Sequence, residues 1–403
     1  MPSLTPVHLP VSFGLVGLGG YGRLICDQLL NESNQENPSV KLNYAVEPDH
    51  TTHASRISEL REHGIRVFEK YDDLLSTDVE AIWLPLPIDL HRPFTERALS
   101  AGKSVMCEKP AAGCIEDVDA MIAARDRAKI PVAIGFQHLY DPAVAEVKRR
   151  ILRGDIGKIL SATLHGCWPR DQRYYTRNTW AARYKRDNTW VLDTPANNAM
   201  AHFINLGMFF LGPTQSESAA PLSIESELYR AKPIETYDTF ASRITVANDI
   251  PFLVLLTHAC RHTVDPVIEI TGDRGSIRFV NMRSLELSAE DDIVPFPVTP
   301  HLHVNMIRRF ATFVRTGDAV NIATLENARA HTVVVNGASQ ATPIRAVNRN
   351  VVDSATQSVR NIEELFAQCA DLGQLPHESD LAQWSAPPGK LDLRNYCHFT
   401  GPK

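Results

Sequence analysis

No segment of this chain approaches the roughly 20 consecutive apolar residues that a bilayer-spanning helix requires. Cysteine offers no framework either. The seven present (Cys26, Cys107, Cys114, Cys167, Cys260, Cys369 and Cys397) form no C-x-x-C pair and are odd in number, which fits scattered reduced thiols better than disulfides. An excess of positive charge is also missing: 41 Lys and Arg against 47 Asp and Glu give a formal net charge of -6, so nothing electrostatic points to nucleic acid. Met1 to Pro10 shows neither twin arginines nor a cationic leader before an apolar core, and a cytoplasmic location is expected. What is there is ordinary globular composition, 44% hydrophobic and 22% charged over 403 residues, enough for two domains with separate cores.

Glycine is concentrated in one place. The run Gly14-Leu15-Val16-Gly17-Leu18-Gly19-Gly20-Tyr21-Gly22 ends in G-x-G-x-x-G, preceded by an apolar strand from Val11 and followed by helically spaced leucine and isoleucine from Leu24 to Leu30. At such a turn Gly17 permits a tight reversal, Gly19 lets the backbone approach a pyrophosphate, and Gly22 lets helix and strand pack closely. Gly20 and Tyr21 open the helix whose amides would hold the phosphates. A second apolar strand, Leu42 to Val46, ends at Glu47, where a carboxylate would accept hydrogen bonds from ribose hydroxyls and repel a 2'-phosphate. The expected cofactor is NAD. Arg56 and Arg61 lie nearby and keep NADP open, and a solvated loop acid is the plainer account of Glu47.

Strands and helices then alternate through strands at 66–68, 81–84, 104–107 and 131–136, a six-strand doubly wound parallel sheet of the Rossmann kind over residues 1–137. Beyond it the pattern changes. One helix (142–153) precedes long strand-like segments at 158–167, 222–231, 237–247, 251–260, 265–271 and 275–280, which read as an α+β domain, 138–371, with a large, open, mostly antiparallel sheet. Helices near 308–314 and 326–336 pack over that sheet or back onto the first domain. Residues 372–403, rich in Pro, Gly and charge, read as an extended arm. The fold class expected is α/β.

The fifth strand delivers Cys107-Glu108-Lys109-Pro110 to the carboxyl edge of the sheet, where open α/β sheets bind ligands. Pro110 restricts Lys109 to extended backbone. A partly desolvated lysine near a bound cation has a lowered pKa, suited to relaying a proton from a hydroxyl that loses hydride. A surface lysine before a turn is the alternative.

These blocks, together with Pro87-Ile88-Asp89-Leu90-His91, Ala101-Gly102-Lys103-Ser104-Val105-Met106 and Glu269-Ile270-Thr271-Gly272-Asp273-Arg274-Gly275, resemble the Gfo/Idh/MocA family of sugar and inositol oxidoreductases over about residues 11–340. The resemblance implies an NAD(P)-dependent dehydrogenase or reductase acting on a sugar, sugar derivative or cyclic polyol bound between two domains. It also implies pairing of copies, as a homodimer or homotetramer, through the second sheet. Gly17, Gly19, Gly20, Tyr21, Gly22, Glu47, Pro87, His91, Glu108 and Lys109 are the expected cofactor residues, with His91 ordering the loop beneath the dinucleotide. The family's third motif brings an aspartate and a histidine four residues apart; here the histidine is His202 and the aspartate has become Asn198, while a later acidic position has become Asn205.

Read without the family, Thr194 and Pro195 start a helix on which Asn198, His202 and Asn205 fall at i, i+4 and i+7 and share one face among apolar neighbours. His202 is then the expected general base, Lys109 the group that stabilises the alkoxide, and Asn198 a positioning amide. Asp193 either replaces the missing acid or caps the helix. The block from Trp168 to Trp190 interleaves arginines with aromatics. Tyr175, Trp180 and Arg183 from it, with Asn205, are the expected substrate contacts, suiting an acidic or phosphorylated sugar or a nucleotide sugar, or equally a salt-bridged loop. His258-x-Cys260-x-His262 would place three potential ligands on one strand face, yet packing is the better account and no metal is expected; His301-x-His303 reads as surface. Two rivals stand beside the oxidoreductase: an NAD-dependent glycoside-cleaving enzyme of related fold, which would show no net NAD turnover, and a non-catalytic dinucleotide or sugar sensor, which would bind without hydride transfer.

Overall fold

The computed structural model describes residues 9–289 and 292–403; Met1 to His8, the greater part of the amino-terminal stretch read above, lie outside these. The chain forms two compact units that interleave along the sequence. The first comprises Met1–Glu108, Ala120–Tyr140 and His301–Thr324, and the second Lys109–Asp119, Asp141–Pro300 and Leu325–Lys403. Among the described residues no helix is long and apolar enough to cross a membrane.

In the first unit, β1 (Val11–Val16), β2 (Val40–Val46), β3 (Arg66–Phe68), β4 (Ala81–Leu84), β5 (Ser104–Cys107) and β6 (Val132–Ile134) form a parallel sheet in the order 3-2-1-4-5-6. All four residues of both β4 and β5 are buried, as strands covered on both faces must be. The connecting helices are α1 (Tyr21–Ser33), α2 (Ala54–Glu62), α3 (Tyr71–Leu75) and α4 (Ile88–Ser100), and α5 (Ile115–Ala128) follows β5.

In the second unit α6 (Pro142–Arg153) is capped by Asp141, whose side chain accepts from the Ala143 amide, and ends at Gly154 in the left-handed region. A ten-stranded sheet follows. It contains β7 (Ile159–Cys167), β10 (Ser223–Arg230), β11 (Thr239–Val246), β12 (Ile250–Thr257), β13 (Val264–Gly272), β14 (Gly275–Val280), β15 (Ser284–Ala289), β16 (Asp292–Phe296), β17 (Ile344–Ala346) and β18 (Gly389–Asp392). A short helix α7 (Gln172–Tyr175) and a small hairpin, β8 (Lys185–Arg186) with β9 (Thr189–Trp190), lie in the connection after β7. Among the described residues of this sheet, only β7 with β12 and β10 with β17 pair in parallel. One face of the sheet receives α8 (Ala201–Phe210), where the Phe252 ring fills the space that a Cβ at Gly207 would enter at 2.3 Å.

Two late helices go to different units. α9 (Leu302–Thr316) joins the first, its Phe310 meeting Phe13 edge-on at 5.8 Å and its Arg308 gripping both oxygens of the buried Glu32 carboxylate. α10 (Leu325–Ala341) joins the second and packs along α8 and β10. A final helix, α11 (Ile362–Leu372), lays Ile362, Leu365, Phe366 and Cys369 on the opposite face of the sheet, against Cys167, Ala241, Leu253 and Leu255. The terminal segment is not a free arm: β18 adds antiparallel to β10, and Phe399 packs edge-on against Trp190.

Candidate active site

In the first unit the glycine turn takes the form expected of a dinucleotide site. Gly17 has φ +96°, in the region that favours glycine, and a Cβ at Gly22 would sit 2.3 Å from the Gly17 carbonyl oxygen. No side chain caps the start of α1, where the Gly22 amide donates to the Gly19 carbonyl at 2.9 Å within the turn. Gly22→Ala is therefore expected to open the turn and weaken NAD binding about tenfold or more, measured by quenching of intrinsic fluorescence; unchanged affinity would count against such a site.

Glu47, at the tip of β2, is buried. Its Oε2 accepts from the Leu18 amide at 2.8 Å and its Oε1 from the Asp49 amide at 3.0 Å, which locks the carboxylate beside the turn. Arg56, one of the two cations that kept NADP open, is engaged by Asp27 and by Glu59. His91 donates from Nε2 to the Leu86 carbonyl at 2.9 Å, ordering the loop before α4, whose N-cap is Pro87. Glu108 turns into the unit: it accepts from the Trp83 indole at 3.0 Å and fills the space beside Gly135. That is a core role, where a cofactor contact was expected.

Two histidines stand at this turn, His53, to which the sequence reading gave no role, and His303, which it read as surface. His53 lies 3.3 Å from where a Gly19 Cβ would stand. His303 pairs with the Tyr21 hydroxyl at 2.8 Å, so it is not the plain surface residue expected; its partner lies 282 positions away, and no local pattern announces that.

The second unit assembles a polar chain around Lys109, whose bond to Pro110 is cis. Lys109 Nζ donates to the Asn198 carbonyl at 2.8 Å and to Asn198 Oδ1 at 3.2 Å. Asn198 Nδ2 donates to Asp193 Oδ1 at 2.6 Å, and Asp193, 4% exposed, also accepts from Arg177 at 3.1 Å and from the Ala182 amide at 2.7 Å. The helix expected from Thr194 is broken. Thr194 caps it, accepting from the Asn197 amide, but Pro195–Ala199 form a π turn and α8 begins only at Ala201. Asn198 and His202 thus do not share a continuous α-helical face; Asn198 faces Lys109, and His202, half-buried, opens α8. Asn205 is corrected more strongly: it is fully buried and donates to the Asn327 carbonyl at 2.9 Å, tying α8 to α10 rather than reaching substrate.

The cationic-aromatic block is largely satisfied internally. Arg177 stacks on Tyr174 at 3.9 Å and lies 5.4 Å from Trp180, while Arg183 pairs with Glu235 at 2.9 Å. Burial pushes the Tyr175 phenol far above its ordinary range. Arg170 stacks on Tyr174 at 4.7 Å, and its Nε is buried without a hydrogen-bond partner. His258, Cys260 and His262 do not share the strand face expected: β12 ends at Thr257, and His258 donates from Nδ1 to the Trp168 carbonyl at 2.8 Å.

Residues 11–136 match the model described as the oxidoreductase family with NAD-binding Rossmann fold, and residues 144–278 match the GFO/IDH/MocA C-terminal domain. The chain belongs to the Gfo/Idh/MocA family. Its Gfo/Idh/MocA relatives include a dTDP-3,4-didehydro-2,6-dideoxy-alpha-D-glucose 3-reductase of Streptomyces violaceoruber, 37% identical over 27% of this chain and 34% of that protein. An inositol 2-dehydrogenase of Rhizobium meliloti is 24% identical over 75% of this chain and 84% of the relative. The first match therefore spans only about a third of its relative's length. Among solved Gfo/Idh/MocA structures, the WlbA dehydrogenase of Bordetella pertussis, in complex with NADH and UDP-GlcNAcA, superimposes with a TM-score of 0.69 at 19% identity, covering 82% of this chain and 95% of that one. This likeness establishes the shared fold.

Proposed function

We propose that the protein is an NAD-dependent oxidoreductase that moves hydride between the nicotinamide and a secondary alcohol or ketone of a sugar, sugar derivative or cyclic polyol. The observation that carries this reading is the Lys109–Asn198 contact. It joins the Glu-Lys-Pro block to the 194–205 stretch, 89 residues away in sequence, and so supports one reacting centre. When bound, the cofactor supplies the hydride acceptor. The chain's own residues do the rest: His202 takes the hydroxyl proton, Lys109 stabilises the developing alkoxide and polarises the carbonyl in the reverse direction, and Asn198 holds Lys109 in place. The locked Glu47 carboxylate and the engaged Arg56 support NAD over NADP. The test is the absorbance of reduced nicotinamide over a panel of sugars and polyols; cofactor binding without turnover across the whole panel would defeat it.

The substrate class is anionic in this reading, with Arg170 as its counter-charge. Burial leaves that guanidinium stacked and partly unpartnered, while Arg177 and Arg183 already hold carboxylates. Calorimetry is expected to show a sugar acid binding about tenfold or more tighter than its neutral parent; equal affinities would refute the assignment. We place the activity in the cytoplasm, on seven cysteines that are all unpaired. We take the intact chain as a monomer where the resemblance implies a homodimer or homotetramer, because α11 already covers the apolar part of the sheet face.

A further inference from the structure

The carboxylate that the 194–205 stretch lacks stands one amide further back. We propose that Asp193 is a positioning residue of this site: it holds the Asn198 side chain in the one orientation that presents oxygen to Lys109, and through that amide it sets a negative charge behind the ammonium's partner. The inference rests on the reading of Lys109 as the group that meets the substrate oxygen.

Hydrogen-bond chemistry fixes the amide. Asn198 Oδ1 lies 3.2 Å from Lys109 Nζ, and Asn198 Nδ2 lies 2.6 Å from Asp193 Oδ1. Rotating the amide by half a turn would set its NH2 group against an ammonium and its oxygen against a carboxylate, two repulsive contacts in place of two charge-assisted bonds. Asp193 is itself built in. The Ala182 amide donates to Oδ2 at 2.7 Å, Arg177 donates at 3.1 Å, and the Thr236 hydroxyl donates to the Asp193 carbonyl at 2.9 Å. Capping does not account for it, because Thr194 performs that task through the Asn197 amide at 3.1 Å. A fixed carboxylate, held by Arg177 and by the Ala182 amide, is thus linked through the Asn198 side chain to Lys109.

This arrangement makes a counterintuitive demand on substitutions. Asn198→Asp, which places an acid in direct reach of Lys109, also sets two carboxylates 2.6 Å apart, and one must keep a proton. Asn198→Asp and Asp193→Asn are each expected to lower kcat/KM at least about tenfold, while Asp193→Asn/Asn198→Asp, which restores one carboxylate and one amide, recovers to within about threefold. The readout independent of turnover is the pH dependence of Lys109 acetylation by acetic anhydride in the intact chain, followed by mass spectrometry. Lys109 titration should move down in Asp193→Asn, where a negative charge is lost, and up in the double variant, where the charge touches the ammonium. Should Asp193→Asn fail to fold, rescue of folding by the second substitution reports the same coupling. A double variant no better than the worse single one, or Lys109 titration indifferent to Asp193, overturns the inference. If titration shifts as stated but no sugar or polyol is turned over, the arrangement stands and the oxidoreductase reading falls.

Discussion

Lys109→Met is expected to lower turnover of a secondary alcohol by about 10²- to 10⁴-fold while leaving NAD affinity within a few-fold. The separation follows from where the charge is held. The residues proposed to hold the dinucleotide, Gly17, Gly22 and Glu47, belong to the first unit, and none of their contacts described above involves the lysine. The ammonium is held by the Asn198 carbonyl and side chain in the second. Methionine keeps the length and the apolar stem and removes only the charge and its donors, so a fall in kcat reports stabilisation of developing negative charge on oxygen. Lys109→Arg separates charge from shape: it keeps a cation but cannot place one compact donor between two oxygens of the same residue, and recovery should be partial. A Met variant that retains full turnover would remove Lys109 from the chemistry, and loss of NAD binding in parallel would place its role in the fold instead.

Much of the first unit was legible because its signals are local. Parallel strands buried on both faces read as continuous apolar runs, and the glycines that a phosphate turn requires announce themselves by spacing alone. Lys109 was legible for the same reason, standing directly after a recognisable strand. Periodicity, however, reports which face of an element is buried and not what buries it. The helix at 302–316 could be seen, but its union with the first unit rests on Phe310 against Phe13 and Arg308 on Glu32, contacts across nearly three hundred residues. The stretch at 194–205 misled in a different way. Counting by 3.6 assumed an unbroken α-helix from Thr194, and the π turn at Pro195–Ala199 rotated Asn205 away from Asn198 and into the α10 interface. The apolar stripe Ile362, Leu365, Phe366 and Cys369 follows the i, i+3, i+4, i+7 rule, so α11 itself was within reach of pattern reading, though its place on the sheet was not.

Phe366→Asp is expected to make the chain, proposed above to be a monomer, associate. The outer face of the ten-stranded sheet is divided: around β7, β11 and β12 it presents Cys167, Ala241, Leu253 and Leu255, whereas β13, β14 and β15 carry the cross-strand row Glu269, Arg278 and Glu286. α11 seals the apolar part, and Phe366, fully buried, sits in the middle of its stripe. Truncating a buried phenylalanine costs about 3–5 kcal/mol, and burying a carboxylate without a partner adds to that. The sum rivals what one three-turn helix gains by docking, so α11 should detach before the rest of the sheet unfolds. Detachment exposes a continuous apolar patch, and a second copy is a ready partner of matching shape. Light scattering on the intact chain should give the mass of one copy, and the variant a concentration-dependent increase with binding of a hydrophobic dye. Phe366→Leu, which keeps the stripe apolar, should remain a monomer. An intact chain that is already a dimer, with Phe366→Asp dissociating it, would mean that α11 forms the interface rather than covering it.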